Sequence, residues 1–195
     1  MQPLTVRTAD VAAQPWKNGG GVTRELLALP PGGDWRVRVS VADVASDGDF
    51  STFAGVERWF AVVEGAGVVL TVDGREHRCT RDDGEALSFA GQAKTSCRLI
   101  DGPTRDLNLM LRGGTGAMLP ALAGVAWTPP PAGRCGLYAL VAGRCVGAGG
   151  GAALPGDCLA WFDEAPGSLA FEPDAASADV LVPAFWLAAD GAPLA

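Results

Sequence analysis

Histidine is almost absent from this sequence, since His77 is the single one among 195 residues. Most transition-metal sites draw their affinity from imidazole or thiolate ligands, and most activated serine or cysteine nucleophiles depend on a neighbouring histidine. We therefore expect neither a bound metal nor a histidine-dependent nucleophile, and we expect no cofactor.

Cysteine is present in a number and spacing that fit no common scaffold. The five cysteines form an odd set, and none of them belongs to a CxxC pair. Secreted disulfide frameworks and zinc clusters both need paired cysteines at characteristic spacings. We expect reduced thiols with a structural role at Cys79, Cys97, Cys135, Cys145 and Cys158.

Long basic runs and long apolar runs are also lacking. The formal net charge is −7, and no stretch of five like charges occurs, which argues against a nucleic-acid partner or a polybasic membrane surface. No apolar run reaches 18 residues, and the opening MQPLTVRTADV has no apolar signal region, so we expect a cytoplasmic protein with no membrane partner. Thirteen of the 15 basic residues lie in 1–112, where an anionic ligand would bind.

Glycine and proline are abundant and divide the chain into short apolar stretches. This pattern is typical of an all-β barrel or sandwich. TRELLALP (23–30) is compatible with a strand or a short helix. The clearer predicted strands are 35–42, 58–65, 67–74, 85–90, 97–101, 106–112, 136–143, 158–162, 168–172 and 179–187.

Three of these strands recur in the same order in the second half of the chain. RWFAVVEGAGVVL is echoed by GLYALVAGRCVGA, GEALSF by GDCLAW, and DLNLMLR by DVLVPAF. Such a repeat favours two copies of one β unit, and the unit itself looks like a cupin, a small jelly-roll barrel. We predict a bicupin with a first barrel at 1–112, a Gly/Ala/Pro-rich connection at 113–134 and a degenerate second barrel at 135–195.

The segment WKNGGGVTRE (16–25) resembles a phosphate loop only at first sight. A Walker loop carries its lysine after the glycines, whereas Lys17 precedes Gly19, Gly20 and Gly21. One interpretation is a tight turn anchored by Trp16. The other is a wall or lid that brings lysine, arginine and asparagine side chains to a small anion.

Alternation along two predicted strands collects polar side chains on one face. In WRVRVSVAD the polar face holds Arg36, Arg38 and Ser40, and in DLNLMLR it holds Asp106 and Asn108. Such a face lines a cavity or meets solvent, and the alternation alone leaves both open.

The sequence closely resembles the HutD/Ves family of bacterial bicupin proteins. The motifs that carry the resemblance are PWKNGGGVTRE (15–25), RVSVADVASDGDFSTFAGVERWFAVVEG (38–65) and DLNLMLR (106–112), with a weaker CLAWF (158–162). The resemblance implies a two-barrel fold without the usual metal ligands, because Ser51 and Phe53 stand where cupins carry their HxH pair. The polar positions that match the family are Lys17, Asn18, Thr23, Arg24, Arg38, Ser40, Glu57, Arg58, Asp106 and Asn108.

For the HutD branch, the resemblance implies a regulator or governor of histidine utilisation that binds a small carboxylate of the urocanate or formylglutamate type. The alternative is a metal-independent isomerase or lyase, with Glu57 or Asp106 as general base and Lys17 or Arg58 stabilising a developing anion. Apolar edge strands and sparse charge in the second half also make a homodimer plausible.

Overall fold

The computed structural model describes residues 3–131, 133–148 and 150–190. The protein is all-β, and the helical segments in these ranges are two single 3-10 turns, Thr8–Asp10 and Ala175–Ser177. No helix in the described ranges has the length and apolarity that a membrane crossing requires. The strands, numbered in chain order, are β1 (Leu4–Arg7), β2 (Gln14–Pro15), β3 (Gly21–Leu29), β4 (Val37–Val44), β5 (Gly48–Asp49), β6 (Val56–Glu64), β7 (Val68–Val72), β8 (Arg75–Cys79), β9 (Leu87–Ala90), β10 (Thr95–Leu99), β11 (Thr104–Arg112), β12 (Thr115–Ala121), β13 (Arg134–Ala139), β14 (Gly143–Gly147), β15 (Gly150–Leu154), β16 (Cys158–Phe162), β17 (Leu169–Pro173) and β18 (Ala184–Asp190).

Residues 12–113 form one compact unit built from two antiparallel sheets. The larger sheet has the order β2-β3-β4-β11-β6-β9, and the smaller has the order β5-β10-β7-β8. A hydrophobic cluster joins them, with Phe60 and Val62 from the larger sheet meeting Val68 and Leu70 from the smaller. Burial of these apolar faces is the main favourable term that holds the two sheets together.

Residues 3–11 and 114–190 form the second compact unit. Its larger sheet has the order β1-β16-β13-β18-β12, and its smaller sheet has the order β15-β14-β17. The core contains Leu137, Phe171 and Trp186, and the indole of Trp127 stacks on that of Trp186 with ring centroids 4.9 Å apart. Small residues occupy much of the remaining interior, which suits the Gly- and Ala-rich sequence of this half.

The strand predictions from sequence are confirmed within a few residues at each end, except that the last one, 179–187, begins well before its strand, Ala184–Asp190. The ambiguous TRELLALP lies in β3 and is a strand, because Gly21–Leu29 pairs along its length with β4. Five strands were not predicted, and each of them lies at a sheet edge: β1, β2, β5, β8 and β12. The strands β14 and β15 lie in the Gly- and Ala-rich segment GRCVGAGGGAALPG, where the repeat predicts further strands.

The repeat seen in the sequence corresponds to a repeat in strand order. The run β4-β11-β6-β9 of the first large sheet has the same connectivity as β12-β18-β13-β16 of the second, and β10-β7-β8 matches β17-β14-β15. One echo is offset, because the strand that corresponds to DLNLMLR begins at Ala184, so that most of DVLVPAF precedes it.

The unit boundaries differ from the predicted ranges in two places. Residues 4–7 pair with β16 and therefore belong to the unit that contains the second half of the chain. The predicted connection 113–134 contains β12, which pairs with β18 along its whole length. Both differences arise because strands far apart in the sequence pair with each other, and local composition does not reveal such pairing.

Candidate functional site

A cavity of about 440 Å³ opens within the unit formed by residues 12–113. The turn around residues 15–18, the large sheet and the segment 49–53 supply its wall. The lining residues are Pro15, Trp16, Lys17, Asn18, Thr23, Arg38, Ser40, Ala42, Asp49, Phe50, Ser51, Phe53, Arg58, Asp106, Asn108 and Met110.

Strand register explains why the polar side chains of the large sheet converge on this cavity. Met110 of β11 pairs with both Arg38 of β4 and Arg58 of β6, so these side chains form one row across three strands. The next row of that face contains Ser40 and Asn108. Side chains two residues apart on a strand point to the same side, which brings both rows to one face.

Arg58 is the most deeply buried cation of the cavity wall. Only 7% of the residue is exposed, and its Nε donates a 2.8 Å hydrogen bond to Oδ1 of Asn108. The guanidinium carbon lies 4.8 Å from the ring centre of Phe50 and 5.4 Å from that of Phe89, which are cation–π distances. Burial lowers the pKa of Arg58 to about 10, so the group remains charged at neutral pH.

Asp106 is the buried acid beside this arginine. The residue is 1% exposed, and its Oδ1 accepts a hydrogen bond from Nδ2 of Asn108. Within the described ranges, Oδ2 is buried and has no hydrogen-bond partner. Burial raises the pKa of Asp106 to about 7, although the Arg58 charge and the Asn108 hydrogen bond both oppose the rise.

Arg38, the second arginine of the wall, is held by an acid at the same face. Its Nε donates to Oε2 of Glu25 at 2.7 Å, and its Nη1 lies 3.7 Å from Sδ of Met110. The guanidinium also lies 5.9 Å from the ring centre of Trp35. These contacts fix the side chain, and Glu25 offsets much of its charge.

The glycine-rich segment is a tight turn that places Trp16 and Lys17 at the cavity. The amide of Gly19 donates to the carbonyl of Trp16, and the amide of Trp16 donates to the carbonyl of Gly21, both at 3.0 Å. Nε1 of Trp16 donates to Oγ1 of Thr23 at 2.7 Å. The segment is thus an anchored turn that also forms part of the cavity wall, and its contact with an anion stays a prediction.

Eight of the ten residues selected from the sequence line the cavity: Lys17, Asn18, Thr23, Arg38, Ser40, Arg58, Asp106 and Asn108. A ligand-binding role for them stays a prediction.

The other two predicted positions, Arg24 and Glu57, are corrected by the structure, because neither lines the cavity. Arg24 pairs with Val41, and its Nη1 binds Oδ2 of Asp43 at 2.5 Å. Glu57 pairs with Leu111 and is exposed. Both residues lie one position out of phase with the cavity-facing rows, and therefore point away from them.

Aromatic side chains of the wall were not predicted as site residues. Phe50 and Phe53 lie in the segment DFSTF, which has no strand periodicity to indicate its orientation. Trp16 was expected only as an anchor, yet it lines the cavity and contacts Phe50 edge to face with centroids 6.0 Å apart. The sequence signal for these positions is the density of aromatic residues in DFSTFAGVERWF (49–60).

The donor atoms of the cavity do not fit a transition-metal ion. Ser51 and Phe53 occupy the positions expected for an HxH pair, and both line the cavity. Asp49 and Asp106 are the carboxylates among the lining residues, and the lining set includes no histidine or cysteine. In the described ranges no group of three histidine, cysteine or acidic residues is arranged to hold a metal.

Comparison with known sequences gives a family for the chain. The sequence model of the HutD family matches residues 8–175. An uncharacterised 21.2 kDa protein from the hutC 3′ region of Pseudomonas putida is 40% identical over 109 residues, which cover 54% of this chain and 56% of the relative. Protein Ves of Citrobacter koseri is 39% identical over 100 residues, which cover 50% and 51%. The chain thus matches about half the length of these curated relatives.

Comparison with solved structures supports the same family and the fold. HutD of Pseudomonas fluorescens aligns with a TM-score of 0.74 and 27% identity, covering 95% of this chain and 96% of that one. A cupin barrel domain protein from Leptotrichia buccalis aligns with a TM-score of 0.56 and 11% identity over 97% of both chains. At 11% identity this second similarity shows the fold alone, which is a cupin-like β architecture.

Proposed function

Since the chain belongs to the HutD family, we propose that it is a small-molecule-binding protein that acts as a regulator of histidine utilisation. Its ligand in this proposal is a small carboxylate of the urocanate or formylglutamate type, bound in the cavity of residues 12–113. We propose further that the two compact units are two cupin barrels, of which this first one binds the ligand.

The observation that carries the proposal is the environment of Arg58. A guanidinium buried against two phenylalanine rings has lost most of its hydration, and one hydrogen bond to Asn108 leaves most of its donors available. A carboxylate is the natural partner for such a fork, because it accepts two parallel N–H bonds and neutralises the charge.

The rest of the wall suits a small conjugated or short-chain acid. Trp16, Phe50 and Phe53 supply apolar faces, while Lys17 adds a further cation beside the two arginines. A volume of about 440 Å³ lies in the usual range of small-molecule sites. The Pseudomonas putida relative is a protein of the hutC 3′ region, which supports the link to histidine utilisation.

Calorimetric titration with N-formylglutamate and with urocanate tests this proposal. We expect binding of at least one of them, and we expect Arg58→Gln to weaken it by at least about tenfold, since a lost charged hydrogen bond costs roughly 1.5–3 kcal/mol. Arg24→Gln is the matched control, because that arginine lies outside the cavity and is expected to leave the affinity unchanged. Equal losses in the two variants, or no heat with either acid, would contradict the proposal.

A metal-independent enzyme is the second candidate function, and Asp106 is the observation that favours it. A buried carboxyl with a pKa of about 7 next to a cation is a suitable general base at neutral pH. Glu57 no longer has this role, because it is exposed outside the cavity. Proton NMR of either acid after long incubation distinguishes the two functions, since a new product signal supports catalysis and unchanged spectra support binding alone.

A further inference from the structure

Asp106 has a buried carboxyl oxygen that is left without a partner among the described residues, and the role inferred for it rests on the proposed binding of a carboxylate in this cavity. Asp106 lines the cavity, and its Oδ1 is satisfied by Asn108, whereas its Oδ2 is buried and has no hydrogen-bond partner in the described ranges. A buried polar atom without a hydrogen bond costs of the order of 1–3 kcal/mol. An atom of this kind next to a cavity indicates where a bound molecule completes the hydrogen bonding.

The groups that face Asp106 come from every element packed around it. On β6, Arg58 is a cation held by Asn108, and on β4, Ser40 is neutral and Arg38 is offset by Glu25. Asp43 lies on the opposite face, where Arg24 and Arg105 bind it. The remaining titratable groups are Cys97 on β10 and Cys79 on β8, whose pKa values burial raises to about 12 and about 11, and Lys17 and Asp49 in the cavity wall.

A ligand carboxylate in this space adds a second acid next to Asp106. Two carboxylates that share one desolvated site do not both remain ionised, because like charges repel strongly at low dielectric. One proton between them removes the repulsion and makes a short charge-assisted O–H···O bond. Burial raises the pKa of Asp106 to about 7, far above that of a ligand carboxylate in water, so Asp106 is the natural holder of the proton.

We propose that Asp106 binds the ligand as a neutral acid, donating from Oδ2 to a carboxylate oxygen, and that a proton enters the cavity with the bound anion wherever Asp106 of the free protein is ionised. The proton comes from solvent and is held on Oδ2, and no bond of the ligand breaks. A protonated Asp106 thereby favours a ligand that places a hydrogen-bond acceptor next to Oδ2. A ligand that places an N–H group next to this atom is disfavoured.

Proton uptake is the direct test, and N-formylglutamate and glutarate are suitable probes because their carboxylates stay ionised over the range used. Titrations in two buffers of different ionisation enthalpy are expected to show close to one proton taken up per bound ligand above about pH 7. The affinity is expected to be constant between about pH 6 and pH 7 and then to fall by up to tenfold per pH unit.

Two substitutions separate Asp106 from the other acid of the cavity. Asp106→Asn keeps a neutral donor of the same shape, so it is expected to bind the probes with no proton uptake and with little pH dependence. Asp49→Asn is expected to retain the uptake, whatever its effect on affinity. Loss of proton uptake in Asp49→Asn would show that Asp49, and not Asp106, takes up the proton, and would contradict the proposal.

Three further results overturn the inference in distinguishable ways. Binding of wild type without proton uptake, or with affinity that rises with pH, means that Asp106 accepts a hydrogen bond as a carboxylate, and the proposed function stands. No binding of either probe at about pH 6 removes the proposed carboxylate binding as well. The wild-type measurement decides these outcomes even where the Asp106→Asn protein folds poorly.

Discussion

Arg58 and Asp106 are joined through the side chain of Asn108 instead of through an ion pair of their own. Nε of Arg58 donates to Oδ1 of Asn108, and Nδ2 of Asn108 donates to Oδ1 of Asp106. The amide therefore separates a cation from an acid, both of which line one cavity and are almost fully buried. Each of them keeps hydrogen-bonding capacity that a third group can use.

Asp106 makes the stability of the protein depend on pH. The folded-state pKa of about 7 lies above the ordinary 3.8, so the folded protein retains a proton that the unfolded chain releases. The contribution of this group to stability is full below about pH 4 and is lost as the pH rises to about 7. Between about pH 5 and pH 8, wild type is expected to lose roughly 2–3 kcal/mol relative to Asp106→Asn.

Urea unfolding of both proteins at several pH values measures this difference. Taking the difference between the two proteins cancels the pH dependence of all other groups. The measured quantity is the free energy of unfolding of wild type minus that of Asp106→Asn, and it is expected to fall as the pH rises. A difference that stays constant, or that increases with pH, would show that Asp106 is ionised in the folded state.

Lys17 is expected to contribute to carboxylate affinity through its charge alone. The side chain is exposed and lines the cavity, so its effect is small and screened by salt. Lys17→Ala is expected to weaken binding of N-formylglutamate by about two- to fivefold at low salt and less at high salt. Lys94→Ala removes the other lysine of the chain, which is exposed outside the cavity, and serves as the control with unchanged affinity.

Gly21 is required by the close approach of neighbouring backbone at the turn. A Cβ atom there would lie 2.4 Å from the carbonyl oxygen of Asp43 and 3.2 Å from the ring of Trp16. Gly21→Ala is therefore expected to destabilise the protein by roughly 1–3 kcal/mol, as overpacking usually does. Gly33→Ala is the comparison, since a Cβ at Gly33 meets no atom within 4 Å and that substitution is expected to be neutral in thermal unfolding.

The five thiols are expected to be unreactive in the folded protein. All are free and buried, and burial raises the pKa of Cys97 and Cys135 to about 12 and that of Cys79 and Cys145 to about 11. Since the thiolate is the reactive form, alkylation at about pH 8 is expected to be at least roughly 100-fold slower than in urea. Rapid labelling of a single cysteine, identified by mass spectrometry, would contradict this expectation.

The cavity wall was predictable where it follows strand alternation. Arg38, Ser40, Asp106 and Asn108 were found because alternate residues of two regular strands share a face. Arg24 is predicted to belong to the site because it lies in PWKNGGGVTRE together with Lys17 and Asn18. Its pairing with Val41 shows that its side chain points away from the cavity. The register between two strands depends on residues far apart in the sequence, so local sequence patterns do not determine it.

Segments without periodicity were the ones missed. Phe50 and Phe53 belong to a connection whose path depends on the sheets around it. The strand β12 lies in a Gly/Ala/Pro-rich segment of low strand propensity, and its pairing with β18 is what makes it extended. In both cases tertiary contacts decide the local conformation.

The pairing of β1 with β16 gives the chain an insertion topology, in which residues 12–113 interrupt the unit that contains both strands. On the ribosome β1 emerges early, while its partner emerges only after the whole inserted unit has been made. Contacts between such distant segments close late, because a long loop has to be ordered first. The cavity-bearing unit is therefore free to complete its folding co-translationally while the other unit still lacks its last strands.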